Sequence, residues 1–415
     1  MLHTALFLLL ASALPASAGT HHAKTAPKHH TATAAQPAVP QAGTDTVKAA
    51  TETVKTAIST TTIHELVMSQ RQVRGIHLTC WGAGSTKSRR EIIRKMSGTV
   101  LNAVVIALKE TDGKVYIPGV EKAAKFGSHE GAITDPAAML KDFKDAHIYT
   151  IARIVMFKDK VLPKVRKDLA VRTPSGDLWR SRNGATWVDP YSHEVWDYNL
   201  DIAELAAKLG FDEIQFDYLR YPSEGNTSLC RYSKPHNRQT ATHNLKDFLD
   251  YARKRLAPYN VKISADVFGL TTTVKDDMGI GQDIATLASG ADYVYPMMYP
   301  SHYYPGEYGL KSPNAQPYKV INYGLRDAMV KLGPNYAKLR PYLQDFNLGA
   351  PKYGPAEVHA QLTAEHLNYL QSWILWNAGN KYNWDALTPQ AYRAFVDPAY
   401  VAPTYAVAEA APAAK

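Results

Sequence analysis

The sequence predicts a (β/α)8 barrel over residues 74–397, and three observations carry that expectation. Eight short runs rich in β-branched and aromatic residues recur along the stretch, amphipathic segments separate most of them, and no Gly-x-Gly-x-x-Gly run follows the first strand. The first two describe βα units feeding a parallel sheet. The third removes the usual dinucleotide fingerprint of the doubly wound open sheet, which is the alternative architecture. With 415 residues, 45% of them apolar, the chain can build a barrel of ~250 residues or more and bury a sizeable core.

In chain order, the strands are expected at Arg74–Thr79, around Ile76, and at Asn102–Leu108, around Val104 to Ile106. The third and fourth are Tyr149–Phe157, with Ile151, Ile154 and Val155, and Glu213–Leu219, with Ile214, Phe216 and Tyr218. Lys262–Phe268, Tyr293–Tyr299, Arg340–Phe346 and Trp373–Asn377 complete the set. Helices are expected between them at Arg89–Met96, Ala137–Ala146, Val195–Leu209, Leu245–Leu256, Asp283–Ala288, Val320–Leu332 and Ala356–Leu370.

The chain ends differ in composition. An apolar run from Ala5 to Leu14 precedes Ala16-Ser17-Ala18, the small-residue form of a signal peptidase site, so residues 1–18 are expected to be a cleaved signal peptide. The run is too short to span a bilayer, which takes ~20 residues, and no later stretch reaches that length, so no stable membrane insertion is expected after cleavage. The implied location is periplasmic or extracellular. Residues 19–73 are expected to be a disordered linker: up to about residue 60 they are rich in Ala, Thr, Pro, His and Lys, with few large apolar side chains to offset ordering entropy. His21, His22, His29 and His30 sit in this linker without a carboxylate or Cys at ligand spacing, so no metal site is expected. Residues 398–415, rich in Ala, are expected to be a disordered tail.

The formal charge of +9 comes from 47 basic and 38 acidic residues that are scattered rather than gathered into a stripe, which argues against a nucleic-acid partner. Cys80 and Cys230 are compatible with a disulfide in an oxidising compartment and equally with two free thiols. No cofactor motif is present.

Chemistry is expected where strand ends meet. On the fourth strand, alternation puts Ile214, Phe216 and Tyr218 against helices while Gln215 and Asp217 face the barrel interior. Asp217 therefore points in near the mouth, with Arg220 the local candidate to pair with it. On the fifth, Ile263, Ala265 and Val267 face out while Ser264 and Asp266 face in. Two inward acids on adjacent strand ends suit glycoside hydrolysis, in which one carboxyl protonates the leaving oxygen and the other attacks the sugar or activates water. At the seventh strand end, alternation leaves open whether Gln344 or Asp345 turns inward. Lys109 and Glu110, ending the second, are expected in solvent or at the pocket edge. Aromatic residues crowd the same ends: Trp179, Trp187 and Tyr191, then Tyr299, His302, Tyr303 and Tyr304, then Trp376. Aromatic faces match the apolar faces of sugar rings, and 25 Tyr against 10 Phe fits a wet cleft.

From Arg74 to Tyr382 the chain resembles the family known as the putative glycoside hydrolase domain of uncharacterised bacterial proteins, placed in the alpha-amylase-like barrel superfamily. The resemblance rests on Trp187-Val188-Asp189-Pro190-Tyr191, Glu194-Val195-Trp196-Asp197-Tyr198-Asn199, Gly210-Phe211-Asp212-Glu213-Ile214-Gln215-Phe216-Asp217-Tyr218 and Ser264-Ala265-Asp266-Val267-Phe268-Gly269. Further along it rests on Gly279-Ile280-Gly281-Gln282, Tyr299-Pro300-Ser301-His302-Tyr303, Leu343-Gln344-Asp345-Phe346 and Trp373-Ile374-Leu375-Trp376-Asn377-Ala378. It implies a nucleophile at Asp217 and an acid/base at Asp266, although such barrels usually carry Glu at the latter place. Substrate contacts are expected from Arg220, Asp345, Gln344, Tyr299, His302, Trp187, Asp189, Trp376, Asn377 and Lys109. Two positions depart from the family pattern: Ala107 stands where an Asp is common, and Cys80 where Gly is common. The expected function is hydrolysis of a cell-envelope or extracellular polysaccharide or oligosaccharide. The alternatives are a glycan-binding barrel that does not cleave, which loss of the Asp at 107 would favour, and an envelope scaffold.

Overall fold

The computed structural model describes residues 60–396. The signal-type segment, the linker up to residue 59 with its His cluster, and the tail from residue 397 lie outside the described residues. Eight parallel strands close into a barrel in sequence order. They are β1 Arg74–Leu78, β2 Ala103–Lys109, β3 Tyr149–Val155, β4 Glu213–Asp217, β5 Lys262–Phe268, β6 Tyr293–Met297, β7 Tyr342–Gln344 and β8 Trp373–Trp376. The (β/α)8 expectation is met, and β8 closes on β1 through Arg74 opposite Trp373.

One boundary moves. Residues 60–73 do not belong to a linker, because Thr60–Met68 forms a helix, α1, whose Ile63 and Val67 are buried. Their i, i+4 spacing gives the helix one apolar edge. The barrel helices follow as α2 Thr86–Met96, α3 Pro136–Asp145, α4 His193–Leu209, α5 Arg238–Leu256, α6 Ile284–Gly290, α7 Pro317–Leu332 and α8 Pro355–Leu367. Their starts are marked by side-chain caps: Ser192 accepts from Val195 N on α4, Asn237 and Thr240 form a reciprocal box on α5, and Asp283 accepts from Thr286 N on α6. Helix α4 ends at Gly210 with φ 96°, a left-handed turn that glycine adopts at least cost and that redirects the chain into β4.

The strands sort their side chains by alternation. Ile214, Phe216, Ile263, Ala265 and Val267 join the outer core under the helices, while Val105, Tyr149, Ile151, Tyr293, Tyr295 and Tyr342 fill the interior. The lower interior is polar yet saturated. Glu213 accepts from Tyr295 Oη at 2.8 Å, Tyr149 Oη at 3.1 Å and Arg340 Nη1 at 2.7 Å. Above it, Tyr342 Oη donates to Gln215 Oε1 at 2.7 Å. These tyrosines use the ring for packing and the hydroxyl to satisfy a buried acceptor.

Cys80 and Cys230 are both buried and unbonded, and burial pushes their thiols up to about 12 and about 11. Among the described residues no helix is long and apolar enough to cross a membrane.

Candidate active site

Asp217 and Asp266 lie inside the barrel at the C-terminal half of adjacent strands, where barrel active sites form. Their environments are opposite. Asp217 Oδ2 accepts from Arg153 Nε at 2.9 Å and Nη2 at 2.5 Å, and Oδ1 accepts from Tyr218 N at 2.6 Å. Arg153 in turn reaches Glu110 Oε1 through Nη1 at 2.8 Å. The partner of Asp217 is therefore Arg153, from the neighbouring strand, and not Arg220, which was expected from sequence proximity. A strand residue and one three positions on diverge once the chain turns, and here it turns sharply: Tyr218 has φ 49°, a strained conformation for a residue with a side chain.

Asp266 is 1% exposed, and neither of its carboxyl oxygens has a hydrogen-bond partner among the described residues. Burial, then the charge of Asp217, holds its carboxyl well above the usual carboxylate range, against the opposing pull of Arg153. Other buried groups on the inner face of the barrel are likewise unpartnered. They are the Tyr299 hydroxyl, Gln215 Nε2 and both ring nitrogens of His77. His77 faces inward from β1 and stacks on Trp376 at 3.9 Å between centroids; burial, then Arg153, keeps it well below its ordinary value and hence neutral. Native interiors leave few polar groups unpaired, and open hydrogen-bonding capacity on the inner face of a barrel suits a ligand. Neither His77 nor Arg153 was singled out from sequence.

The half-exposed rings and side chains of Trp376, Phe346, Met297, Tyr218 and Phe268 rim this interior. Trp376 also stands 5.1 Å from the Arg153 guanidinium. Tyr299 and Phe346 meet edge to face at 5.4 Å, with exposed His302 beside them. Arg220 lies over the rings of Trp187, Tyr218 and Phe268 at 4.9, 4.9 and 4.5 Å. At β7, Leu343 packs outward, which leaves Gln344 on the inner face; its Oε1 accepts from Ser301 N at 3.0 Å.

The other expected contact residues hold the frame. Lys109 is fully buried, paired with Asp159 at 2.9 Å and donating to Val155 O, and lies over the Tyr198 ring. It is neither solvated nor at the mouth, because an irregularity in the β2–β3 pairing between Ala107 and Lys109 breaks the alternation there. The same irregularity precedes Glu110, which reaches Arg153. Asp345 accepts from Asn383 N at 2.9 Å and Nδ2 at 2.5 Å, Asn377 donates to Asp345 O, and Asp189 accepts from Tyr191 N and Ser233 N. Each thereby fastens one loop to another. Ala107 is buried opposite Arg153 in register, so the carboxylate that reaches this guanidinium from β2 comes from Glu110.

Two concavities of about 250 and 310 Å³ lie elsewhere, one lined by Arg172, Asp189 and Arg231, the other by Trp196, Lys234 and Tyr251. Neither contains an acid pushed above its ordinary pKa, and Asp168 in the first is held below it by Arg166. The mouth is preferred on its chemistry. Among the described residues no group of three or more His, Cys, Asp or Glu side chains is placed to share a metal ion.

By its fold the chain falls in the class of (β/α)8-barrel proteins that includes many glycoside hydrolases. More specifically, it belongs to the family described as "putative glycosyl hydrolase domain", whose model matches residues 75–382. A hypothetical protein from Ruminiclostridium thermocellum is 34% identical over 46% of this chain and 97% of its own, with a TM-score of 0.42. The PgaB (BpsB) glycoside hydrolase domain from Bordetella bronchiseptica is similar in fold, with a TM-score of 0.55 at 14% identity over 78% of this chain and 98% of its own. Alpha-L-fucosidase isoenzyme 2 from Paenibacillus thiaminolyticus also has a TM-score of 0.55, at 12% identity; 78% of this chain is covered and 49% of the fucosidase, about half its length. No curated protein matches the chain.

Proposed function

We propose that this protein is a glycoside hydrolase that cleaves O-glycosidic bonds in cell-envelope or extracellular polysaccharide, with Asp217 and Asp266 as its carboxylate pair. The observation that carries this reading is the divergence of two neighbouring acids. One is bound by a guanidinium and a backbone N–H, and the other is buried, unpartnered and pushed up in pKa. Carboxyls whose environments drive them apart in this way divide the labour of acid and base. Family membership and the barrel fold support the same reading.

Asp266, its carboxyl held above the usual range by burial, gives its proton to the glycosidic oxygen as the C–O bond breaks. Asp217 meets the sugar carbon as a nucleophile, or takes a proton from the water that attacks it. In the first course a water later displaces Asp217 and returns a proton to Asp266. In the second, Asp217 ends protonated and Asp266 charged, and exchange with solvent resets both. Arg153 and Glu110 hold Asp217 in place. Tyr299, His77, Gln344 and Arg220 are the polar contacts offered to substrate, and Trp376, Trp187 and His302 supply ring surfaces.

The apolar run Ala5 to Leu14 and the Ala-Ser-Ala site after it support export, and so a substrate outside the cytoplasm. Incubating the protein with a panel of bacterial envelope polysaccharides should release new reducing ends, and Asp217→Asn should release none. Glycan binding without cleavage over long incubation would favour the non-catalytic barrel instead.

A further inference from the structure

Six Lys and Arg side chains are buried among the described residues: Arg89, Lys109, Arg153, Lys158, Arg220 and Arg340. Four are neutralised by carboxylates, as Arg89 is by Asp142, Lys109 by Asp159, Arg153 by Glu110 and Asp217, and Arg340 by Glu213. Lys158 and Arg220, 8% and 3% exposed, form no ion pair with any carboxylate among the described residues. They are also neighbours, since Lys158 Nζ and the Arg220 guanidinium lie 5.1 and 4.9 Å from the ring of the same residue, Tyr218. Each makes burial of the other more costly, because burying a cation without a counter-charge is unfavourable and burying two together is more so.

Their place in the fold says what could offset that cost. Lys158 follows β3, and its backbone pairs with Trp187; Arg220 follows β4 and leans on Phe268 at the end of β5. Both therefore stand over the strand ends that carry Asp217 and Asp266. Among charged neighbours, Glu224 and Asp217 act on both cations, and Lys160 adds a further positive charge beside Lys158. Arg220 Nη1 is used on Tyr221 O and Ser223 Oγ, which fixes the plane of the guanidinium and orients the rest of its fork. Burial lowers the pKa of both side chains, as expected for cations held short of a partner.

We propose that Lys158 and Arg220 form a subsite for an anionic group on the sugar adjoining the scissile bond, so that the substrate is an acidic glycan carrying a carboxylate, phosphate or sulfate. The inference rests on the hydrolase reading for the words "scissile bond", but the binding site stands or falls separately. A guanidinium and an ammonium on one aromatic platform suit an anion with two or more oxygens. An anionic substituent would complete the pairing that the other four buried cations already have.

The full chain carrying Asp217→Asn is titrated calorimetrically with a panel of oligosaccharides in matched forms. These are uronides and their carboxyl-reduced counterparts, phosphorylated glycans before and after phosphatase, and sulfated glycans before and after desulfation. At least one acidic member should bind about tenfold tighter than its neutral counterpart, more weakly as salt rises. The arm that shows the preference identifies the anion. Lys158→Gln in the same background should remove the preference, and Lys158→Arg should keep it, with both variants checked for an unchanged melting profile. Equal binding of acidic and neutral members, no binding of any acidic member, or a preference that survives Lys158→Gln would overturn the subsite. Parallel incubation of the parent protein separates the two readings. Cleavage with no preference for acidic glycans sinks the subsite alone. Lys158-dependent acidic binding with no new reducing ends sinks the hydrolase alone.

Discussion

Glu213 and Asp266 are both carboxyls inside one barrel, on adjacent strands and almost entirely out of solvent. At the N-terminal end, Glu213 receives bonds from two tyrosine hydroxyls and a guanidinium. At the C-terminal end, Asp266 receives none from the described residues, and the inward-facing Tyr299, Gln215 and His77 also keep unpaired polar atoms. A buried charge surrounded by donors tightens the fold, whereas a buried acid left without them raises its own pKa and costs stability. Of these two acids the barrel satisfies the one at its base and leaves the one at its mouth open, although buried atoms without partners also occur elsewhere, as at Glu365 and Trp373. This division is the one expected between a stabilising face and a working face.

The comparison breaks most visibly through activity. Asp217→Asn keeps the volume but removes the nucleophilic or basic carboxylate, so glycan cleavage should fall by about ten-thousandfold with circular dichroism unchanged. Asp266→Asn should cost about a hundredfold to ten-thousandfold on natural glycans, the range for a general acid. An activated aryl glycoside, whose leaving group needs no proton, should lose far less in the glycosylation step. The parent's pH–rate profile should be bell-shaped, with an alkaline limb where Asp266 loses its proton, and the variant should lack that limb. Equal losses on both substrate types would pass the acid role to Glu110 or Asp345.

Arg340 tests the other end. Arg340→Met leaves Glu213 buried with only its tyrosines, a change that should cost about 3–5 kcal/mol in urea unfolding. Specific activity of the folded fraction should hold. A loss below about 1 kcal/mol would show that the cluster under the barrel adds little to stability.

Much of this was legible in the sequence. Alternation on β4 and β5 placed Asp217 and Asp266 inside correctly, because both strands run regularly up to the turn that Tyr218 makes. The same rule overlooked Arg153, although Tyr149, Ile151 and Arg153 alternate inward on β3, because a neighbour in sequence, Arg220, offered a simpler partner. It equally overlooked His77, flanked by outward Ile76 and Leu78. Lys109 defeated the rule for a different reason, since a local irregularity in strand pairing leaves no signature in residue type. Helix α1 was hidden by the polar composition before it, although Ile63 and Val67 already carried its spacing. Which polar atoms remain unpaired is a property of three-dimensional packing and could not be read from residue order.

Asp266 also leaves a trace in stability. Its folded-state pKa lies well above ~3.9, the value in an unfolded chain, so between the two the folded protein holds a proton that the unfolded chain releases. Its contribution to stability is present below about pH 4 and is lost as pH rises through the folded value. Asp266→Asn has no such dependence. Between pH 4 and pH 8 the variant should gain on the parent by about 1.4 kcal/mol for each tenfold weakening of the acid. A constant difference across that range would mean that Asp266 titrates normally.

The finest test uses two tyrosines four residues apart, one at each end of the contrast. Tyr295 donates to Glu213 at 2.8 Å and accepts from Arg340 Nη1 at 3.0 Å, so Tyr295→Phe removes two bonds to charged groups. It should cost about 1.5–3 kcal/mol, the usual worth of hydrogen bonds to charged groups, and change activity little. Tyr299 has a buried hydroxyl with no partner among the described residues, so Tyr299→Phe deletes an oxygen that makes no bond in the free protein. Its stability should stay within about 0.5 kcal/mol of the parent or rise slightly, because a desolvated hydroxyl is removed along with its cost. Turnover should fall by about tenfold if that hydroxyl meets the substrate, since the bond it makes there has no substitute. Similar stability losses in the two variants would mean that Tyr299 is paired after all, and unchanged turnover in Tyr299→Phe would remove its hydroxyl from the site.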